Sequence, residues 1–245
     1  MSQPKVAIVS GASRGIGHAI ALRLAADGAR VVLTARDERL LRETAAIIGE
    51  ENSLLVALDL RLADSAAKIV DAAAAKFGTV DILVNNAGAT KRGDFETLTD
   101  DDFMDGFALK YFGAVRLTRA AWPHLKRQSG AIVNIVGSGG RTPGALFAIG
   151  GSVNAAVLSF TKAMSEKGIE DGVQVNAINP GPVRTARLAK RLEDTTEEAF
   201  LREEKIARIG EPADIAALVS FILSPHGRLL QGSLIDADGG ATKTI

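Results

Sequence analysis

Eight residues, Ser10-Gly11-Ala12-Ser13-Arg14-Gly15-Ile16-Gly17, join a short apolar run to a longer helical pattern. Glycines at such a junction permit a tight turn and close approach of the backbone to a ligand. The N-terminus of the following helix offers unpaired N–H groups and the positive end of its dipole, which suits a pyrophosphate. A Gly-rich loop alone says little, but one that follows the first strand and opens the first helix of a βαβ unit reads as a dinucleotide cradle. Gly11, Ser13, Arg14, Gly15, Ile16 and Gly17 are its candidate contacts. The competing reading is a tight turn with no ligand.

The second apolar run ends Leu33-Thr34-Ala35-Arg36. An NAD binder usually places a carboxylate there to accept from the ribose 2′-OH. Arg36 can instead grip a 2′-phosphate bidentately, and Arg14 can reach the same group. These two cations predict NADP(H) in preference to NAD(H). Asp37 follows directly, and two solvated arginines remain the plainer alternative.

These residues need a frame, and the hydropathy pattern supplies one. Apolar runs at Val6–Ser10, Val31–Thr34, Leu54–Leu58, Ile82–Asn85, Ile132–Val136, Val173–Ile178 and Ser233–Ala237 read as strands. Most are continuously apolar, as strands buried on both faces are. Helical patterns lie between them: Ile16–Asp27, Glu38–Gly49, Ala63–Phe77, Asp100–Arg127, Asn154–Gly168 and Pro212–Ser224. Such alternation predicts one α/β domain over 1–245, a Rossmann-like doubly wound parallel sheet of about seven strands with helices on both faces. The charged stretch 184–209 interrupts the pattern and reads as a mobile lid.

The 245 residues are 47% hydrophobic and 24% charged, with 29 basic against 29 acidic side chains. Neutrality argues against nucleic acid and against a polybasic membrane contact. The first apolar run holds about five residues, short of the roughly 7–15 of a secretory signal. No uninterrupted apolar segment nears the ~20 residues of a membrane span. The expectation is a cytoplasmic protein. Cysteine is absent, so thiolate chemistry and Cys-ligated metal are excluded. His18, His124 and His226 are too scattered to predict a metal site.

The spacing Gly-x-x-x-Gly-x-Gly resembles that of the short-chain dehydrogenase/reductase family. So do Asn85-Asn86-Ala87-Gly88, Asp59 after the third strand, Asn179-Pro180-Gly181-Pro182-Val183-Arg184-Thr185, Leu230-Gln231-Gly232 and Asp238-Gly239-Gly240. The resemblance covers almost the whole chain. It implies cofactor contacts from Asp59, Leu60, Asn86, Ala87, Gly88, Pro180, Gly181, Val183 and Thr185. It also implies carbonyl–alcohol oxidoreductase chemistry by an Asn, Ser, Tyr and Lys, and a homotetramer or homodimer built through the fourth and fifth helices.

The chain departs from that catalytic pattern. With Ala155–Lys162 fixing the register, the Tyr position is Gly150 and the Lys position is Asn154. The sole Tyr is Tyr111, so no shift of register supplies one. The Asn position is Lys110, and the Ser position falls at Gly137 or Ser138. A Lys projecting from the fourth helix could enter the space left by Gly150 and by the missing Lys and, once desolvated, titrate near neutrality. Lys110, Ser138 and Asn154 are therefore the candidate catalytic set. Against it stand a structural Lys110 and an Asn154 that caps its helix or holds the nicotinamide ribose. Tyr111 is expected in the core or an interface.

The segment before Gly150 is small and apolar, and Leu188 and Leu192 could line a lid. Both suit an apolar or amphipathic small-molecule substrate. Arg92, Arg141 and Arg184 could meet an acidic group or simply lie in solvent. Phe103, Phe107 and Trp122 are candidate buried or interface aromatics. The two functional readings are an NADP(H)-dependent oxidoreductase with a rearranged site and a catalytically silent NADP(H)-binding sensor or scaffold.

Overall fold

The computed structural model describes residues 3–243; positions 1–2 and 244–245 of the expected domain lie outside them. The strands are β1 (Val6–Ser10), β2 (Arg30–Ala35), β3 (Ser53–Ala57), β4 (Ile82–Asn85), β5 (Ala131–Ile135), β6 (Gln174–Pro180) and β7 (Leu234–Ala237). All pair in parallel, in the order β3-β2-β1-β4-β5-β6-β7. The helices are α1 (Gly15–Ala26), α2 (Glu38–Ile48), α3 (Ser65–Phe77), α4 (Asp100–Gly106), α5 (Gly113–Gln128), α6 (Ala148–Asp171), α7 (Ala186–Arg191), α8 (Glu197–Glu204) and α9 (Pro212–Leu223).

The strand sequences explain the two-sided wrapping. Successive side chains point to opposite faces. Ala7, Val9, Val31 and Leu33 face a cluster with Ile20 and Leu24 of α1 and Ile215, Val219 and Ile222 of α9. Val6, Ile8, Val32 and Leu83 face the other way, onto Ile69 of α3 and Leu117, Ala121 and Leu125 of α5. Each such side chain stabilises the fold by about 1.5–3 kcal/mol when fully buried. A strand apolar at every position therefore demands helices on both faces.

Two elements differ from expectation. The long fourth helix is not uniform: Phe107–Phe112 winds as a π-helical turn between α4 and α5. Such turns insert an extra residue and re-aim side chains. Helix α6 begins at Ala148, so Asn154 lies in its interior and does not cap it. By length and apolarity alone α6 could cross a membrane, yet Ile149, Val153, Val157 and Leu158 are buried within the domain.

A buried polar ladder fixes β4, β5, α5 and α6 beneath the site. Asn85 Nδ2 donates to Asn134 Oδ1 (2.9 Å) and to Thr118 Oγ1 (3.3 Å). Asn134 Nδ2 donates to Thr161 Oγ1 (2.9 Å), which donates to the Val157 carbonyl (2.8 Å). Asn134→Ala removes one bond from each neighbour, leaving Asn85 Nδ2 with Thr118 and Thr161 Oγ1 with the Val157 carbonyl alone, and is expected to lower the unfolding free energy by about 2–3 kcal/mol. Urea denaturation measures it; a loss below ~0.5 kcal/mol would show that the ladder is dispensable.

Candidate active site

Strand order reverses between β1 and β4, so the loops after these strands diverge and open a cleft at their carboxyl ends. Ser10 holds the two loops in register. Its hydroxyl accepts from the backbone N–H of Asn86 (2.9 Å) and Ala87 (3.0 Å). Asn86 Nδ2 returns a bond to the Ser10 carbonyl at 2.9 Å. Gly17 is required by this closeness: a Cβ there would lie 2.2 Å from the Gly11 carbonyl oxygen and 2.4 Å from Asn86 Nδ2.

The first turn of α1 suits a pyrophosphate. Arg14 at its N-cap makes no side-chain capping bond, and the turn carries no acidic residue. Its N–H groups are thus left for an anion. Ser13, Gly15 and Ile16 are half-buried at this mouth. Thr185 closes over the loop, its methyl 3.2 Å from where a Gly15 Cβ would be. At the other end, Arg36 is exposed and 3.8 Å from Asp59. Asp59 also accepts from the Arg61 N–H. Asp37 caps α2 by accepting from the Leu40 N–H at 3.1 Å. Leu60 is buried and packs against Gly113. Pro180 ends β6, Gly181 abuts Asp238, and Val183 is buried.

The structure brings Lys110 and Asn154 together. The π turn aims the Lys110 stem past Gly88, whose Cβ position would lie 2.9 Å from Lys110 Cδ. Lys110 Nζ donates to Asn154 Oδ1 (2.5 Å) and to the Val136 carbonyl. The residue as a whole is half-buried but its ammonium is enclosed. Burial, reinforced by the cation of Arg187, lowers its pKa from 10.5 to about 7.

Of the space expected for it, the Lys110 ammonium reaches the part at Asn154, where the family's Lys would stand, but not the part at Gly150. The Phe147 ring fills it: a Cβ on Gly150 would fall 2.0 Å from Phe147 Cζ. The same ring lies 2.9 Å from the Cβ position of Gly139, and Asn154 Nδ2 lies 3.9 Å from that point. Gly137 follows Val136 with φ +133, a conformation suited to glycine, and its Cβ position is 3.0 Å from Asn154 Nδ2. Ser138 comes one residue later and opens a short 3-10 turn.

The remaining candidates separate clearly. Arg141 pairs with Asp236 (2.9 Å), which also accepts from Asn179. Arg184 pairs with Glu197 and Glu211. Leu188 and Leu192 pack with Phe200, Ile206 and Ile209 in the 184–209 segment's own core, so they hold it together rather than face a ligand. Tyr111 packs edge-on against Phe107, Phe112 and Phe160. Trp122 is half-buried and donates to Asp171 at 2.8 Å. Arg187, which sequence reasoning missed, donates from α7 to the Gly88 carbonyl at 2.8 Å. It is exposed by area, yet its guanidinium sits deep enough for burial to lower its pKa, with Arg14 adding to the effect.

A family model described as enoyl-(acyl carrier protein) reductase matches residues 11–242. The 3-oxoacyl-(acyl-carrier-protein) reductase FabG of Vibrio cholerae is 35% identical over 240 residues, 96% of each chain. L-sorbose reductase from Gluconobacter frateurii, solved with NADPH and L-sorbose, superposes with a TM-score of 0.93 at 31% identity, covering 99% of this chain and 98% of that one. A Pseudomonas aeruginosa short chain oxidoreductase described as containing an atypical catalytic center superposes, in its NADPH-bound form, with a TM-score of 0.92 at 28% identity, covering 98% of both chains. With the glycine loop, the Asn-Asn-Ala-Gly turn and the Asn-Pro-Gly segment placed round one cleft, the chain belongs to the short-chain dehydrogenase/reductase family of NAD(P)-dependent oxidoreductases.

Proposed function

We propose that this chain is an NADP(H)-dependent oxidoreductase acting on a carbonyl or alcohol carbon, with Lys110 in place of the family's Tyr as the group that moves the proton. The observation that carries this reading is the enclosed Lys110 ammonium, held between Asn154 and the Val136 carbonyl with a pKa near 7. A group poised there can give or take a proton at neutral pH. The nicotinamide supplies or accepts the hydride when bound. In reduction the Lys110 ammonium protonates the substrate oxygen; in oxidation the neutral amine removes the hydroxyl proton. Asn154 orients the amine through Oδ1, and the Ser138 hydroxyl orients the substrate oxygen.

Cofactor contacts follow the geometry above, with the pyrophosphate on Gly11–Gly17 and the Asn86–Gly88 turn beside the ribose. Arg36 and Arg14 support NADP(H) preference because Asp37 is engaged as a helix cap and no carboxylate takes its place at the end of β2. Arg36→Ala is expected to weaken NADPH binding about 10- to 100-fold and leave NADH within a few-fold, the loss of a charge-assisted pair. Titration calorimetry with both cofactors measures this, and equal losses would refute it.

The segment 184–209 acts as the lid, seated through Arg187 on Gly88. The substrate is a small amphipathic molecule, the protein cytoplasmic, and the assembly a homotetramer or homodimer. A panel of ketones, aldehydes and alcohols, followed by nicotinamide absorbance, tests the proposal. Turnover that disappears in Lys110→Met upholds it. Tight NADPH binding with no turnover across the panel would favour a silent sensor or scaffold.

A further inference from the structure

The substrate-facing wall carries a cation that the hydride chemistry does not use. Arg92 lies in the loop after β4, and its guanidinium carbon stands 4.6 Å from the centre of the Phe147 ring. That ring is the one that fills the space over Gly150 and flanks Gly139 together with Asn154. The stack is held by backbone as well: the Gly93 N–H donates to the Leu146 carbonyl at 3.1 Å, tying the Arg92 loop to the turn that presents Phe147.

Among the described residues Arg92 forms no ion pair, whereas Arg141, Arg184 and Arg191 each have a carboxylate. The acid nearest in effect is Glu204, which is bonded to Arg191 at 2.5 Å. Burial lowers the pKa of Arg92, and the cation of Arg191, on α7 of the 184–209 segment, adds to that lowering. Arg92 thus has an aromatic partner but no carboxylate of its own, since Glu204 is taken by Arg191. An oxyanion placed at the Arg92 guanidinium would supply the ionic partner that Arg92 lacks. A guanidinium stacked on an aromatic ring keeps its N–H edge free for such a bidentate contact.

We infer that the substrate is an oxo acid, or the corresponding hydroxy acid, whose carboxylate is held by Arg92 on the Phe147 ring. The apolar link between carbonyl and carboxylate would lie along Phe147. This rests on the oxidoreductase reading above for its reacting carbonyl, but the anion site stands on its own geometry.

The test compares acetoacetate and levulinate with their methyl esters, using the NADPH-loaded protein and its Arg92→Gln variant. In the wild type the acid is expected to exceed its ester in kcat/KM by at least about 10-fold, and in Arg92→Gln the ratio should fall towards one, as loss of a charge-assisted pair predicts. A wild-type preference for esters, or an acid-to-ester ratio unchanged by Arg92→Gln, overturns the inference. Calorimetric binding of the same four compounds separates it from the chemistry. Acid binding that depends on Arg92 without any turnover upholds the anion site while the proposed reaction fails. Turnover without Arg92-dependent binding does the reverse, and neither binding nor turnover overturns both. Thermal melts of the variant within a degree or two of wild type exclude misfolding.

Discussion

Lys110→Met is expected to lower carbonyl turnover by roughly 10²–10⁴-fold, the contribution of a positioned general acid, with NADPH affinity changed only a few-fold. Met keeps most of the stem that packs on Gly88 and removes the ammonium. The pH profile of the wild type should carry the same signature. Reduction requires the ammonium, so its rate should fall as pH rises through about 7, while oxidation requires the amine and should rise through the same range. An anion bound beside Arg187 removes one cause of the low pKa and moves both limbs to higher pH. A Lys110→Met enzyme with an unaltered profile would end the proposal.

The same group makes a stability signature with a definite sign. The folded-state pKa is about 7, below the 10.5 of the free side chain. Between these values the unfolded chain binds a proton that the native state does not. Stability therefore rises with pH through that window, by at most ~1.4 kcal/mol per pH unit from this residue, and the penalty is complete below it. Lys110→Met should flatten that slope. Urea midpoints at pH 7 and pH 9 for both proteins measure it, and a slope kept by the variant would place the proton elsewhere.

The frame of this site was legible because each element satisfied a local rule. Strands apolar at every position required two covered faces, and a glycine loop between β1 and α1 marked the cleft. The missing Tyr was equally plain, since the chain has a single Tyr at position 111. What filled its place was not. Phe147 sits three residues before Gly150 in an apolar stretch, and nothing in composition says that its ring turns back over the helix. The π turn at Phe107–Phe112 follows no propensity rule, because its sequence would serve an α-helix as well. Asn154 looked like a helix opener because a polar Asn there precedes an Ala-rich run; α6 instead starts at Ala148, with Gly150 packed on Phe147 and Gly151 on Pro143. Arg187 gave no signal, for its meaning lies in a carbonyl 99 residues away.

Gly150→Ala tests that unforeseen packing through a reversal of sign. In a helix interior this change ordinarily stabilises by about 0.5–1 kcal/mol, because glycine gives up more backbone freedom on folding. Here the new methyl would sit 2.0–2.6 Å from three Phe147 ring carbons. The ring must move, and overpacking of this kind costs about 1–3 kcal/mol. The variant should therefore be less stable than wild type. Phe147→Ala gives up the ring's own burial but removes the obstruction, so adding Gly150→Ala to it should regain the usual helix benefit. The cycle should show a coupling of about 1–3 kcal/mol, well outside the ~0.5 kcal/mol expected of independent sites. Additive losses in urea denaturation would mean that the ring does not occupy this space. The coupling also bears on the chemistry. A Tyr restored at 150 would have to displace Phe147 and with it the Arg92 stack, and it would find Asn154 where the family has Lys. The site is therefore built around Lys110 at several positions together, and no single substitution returns it to the family pattern.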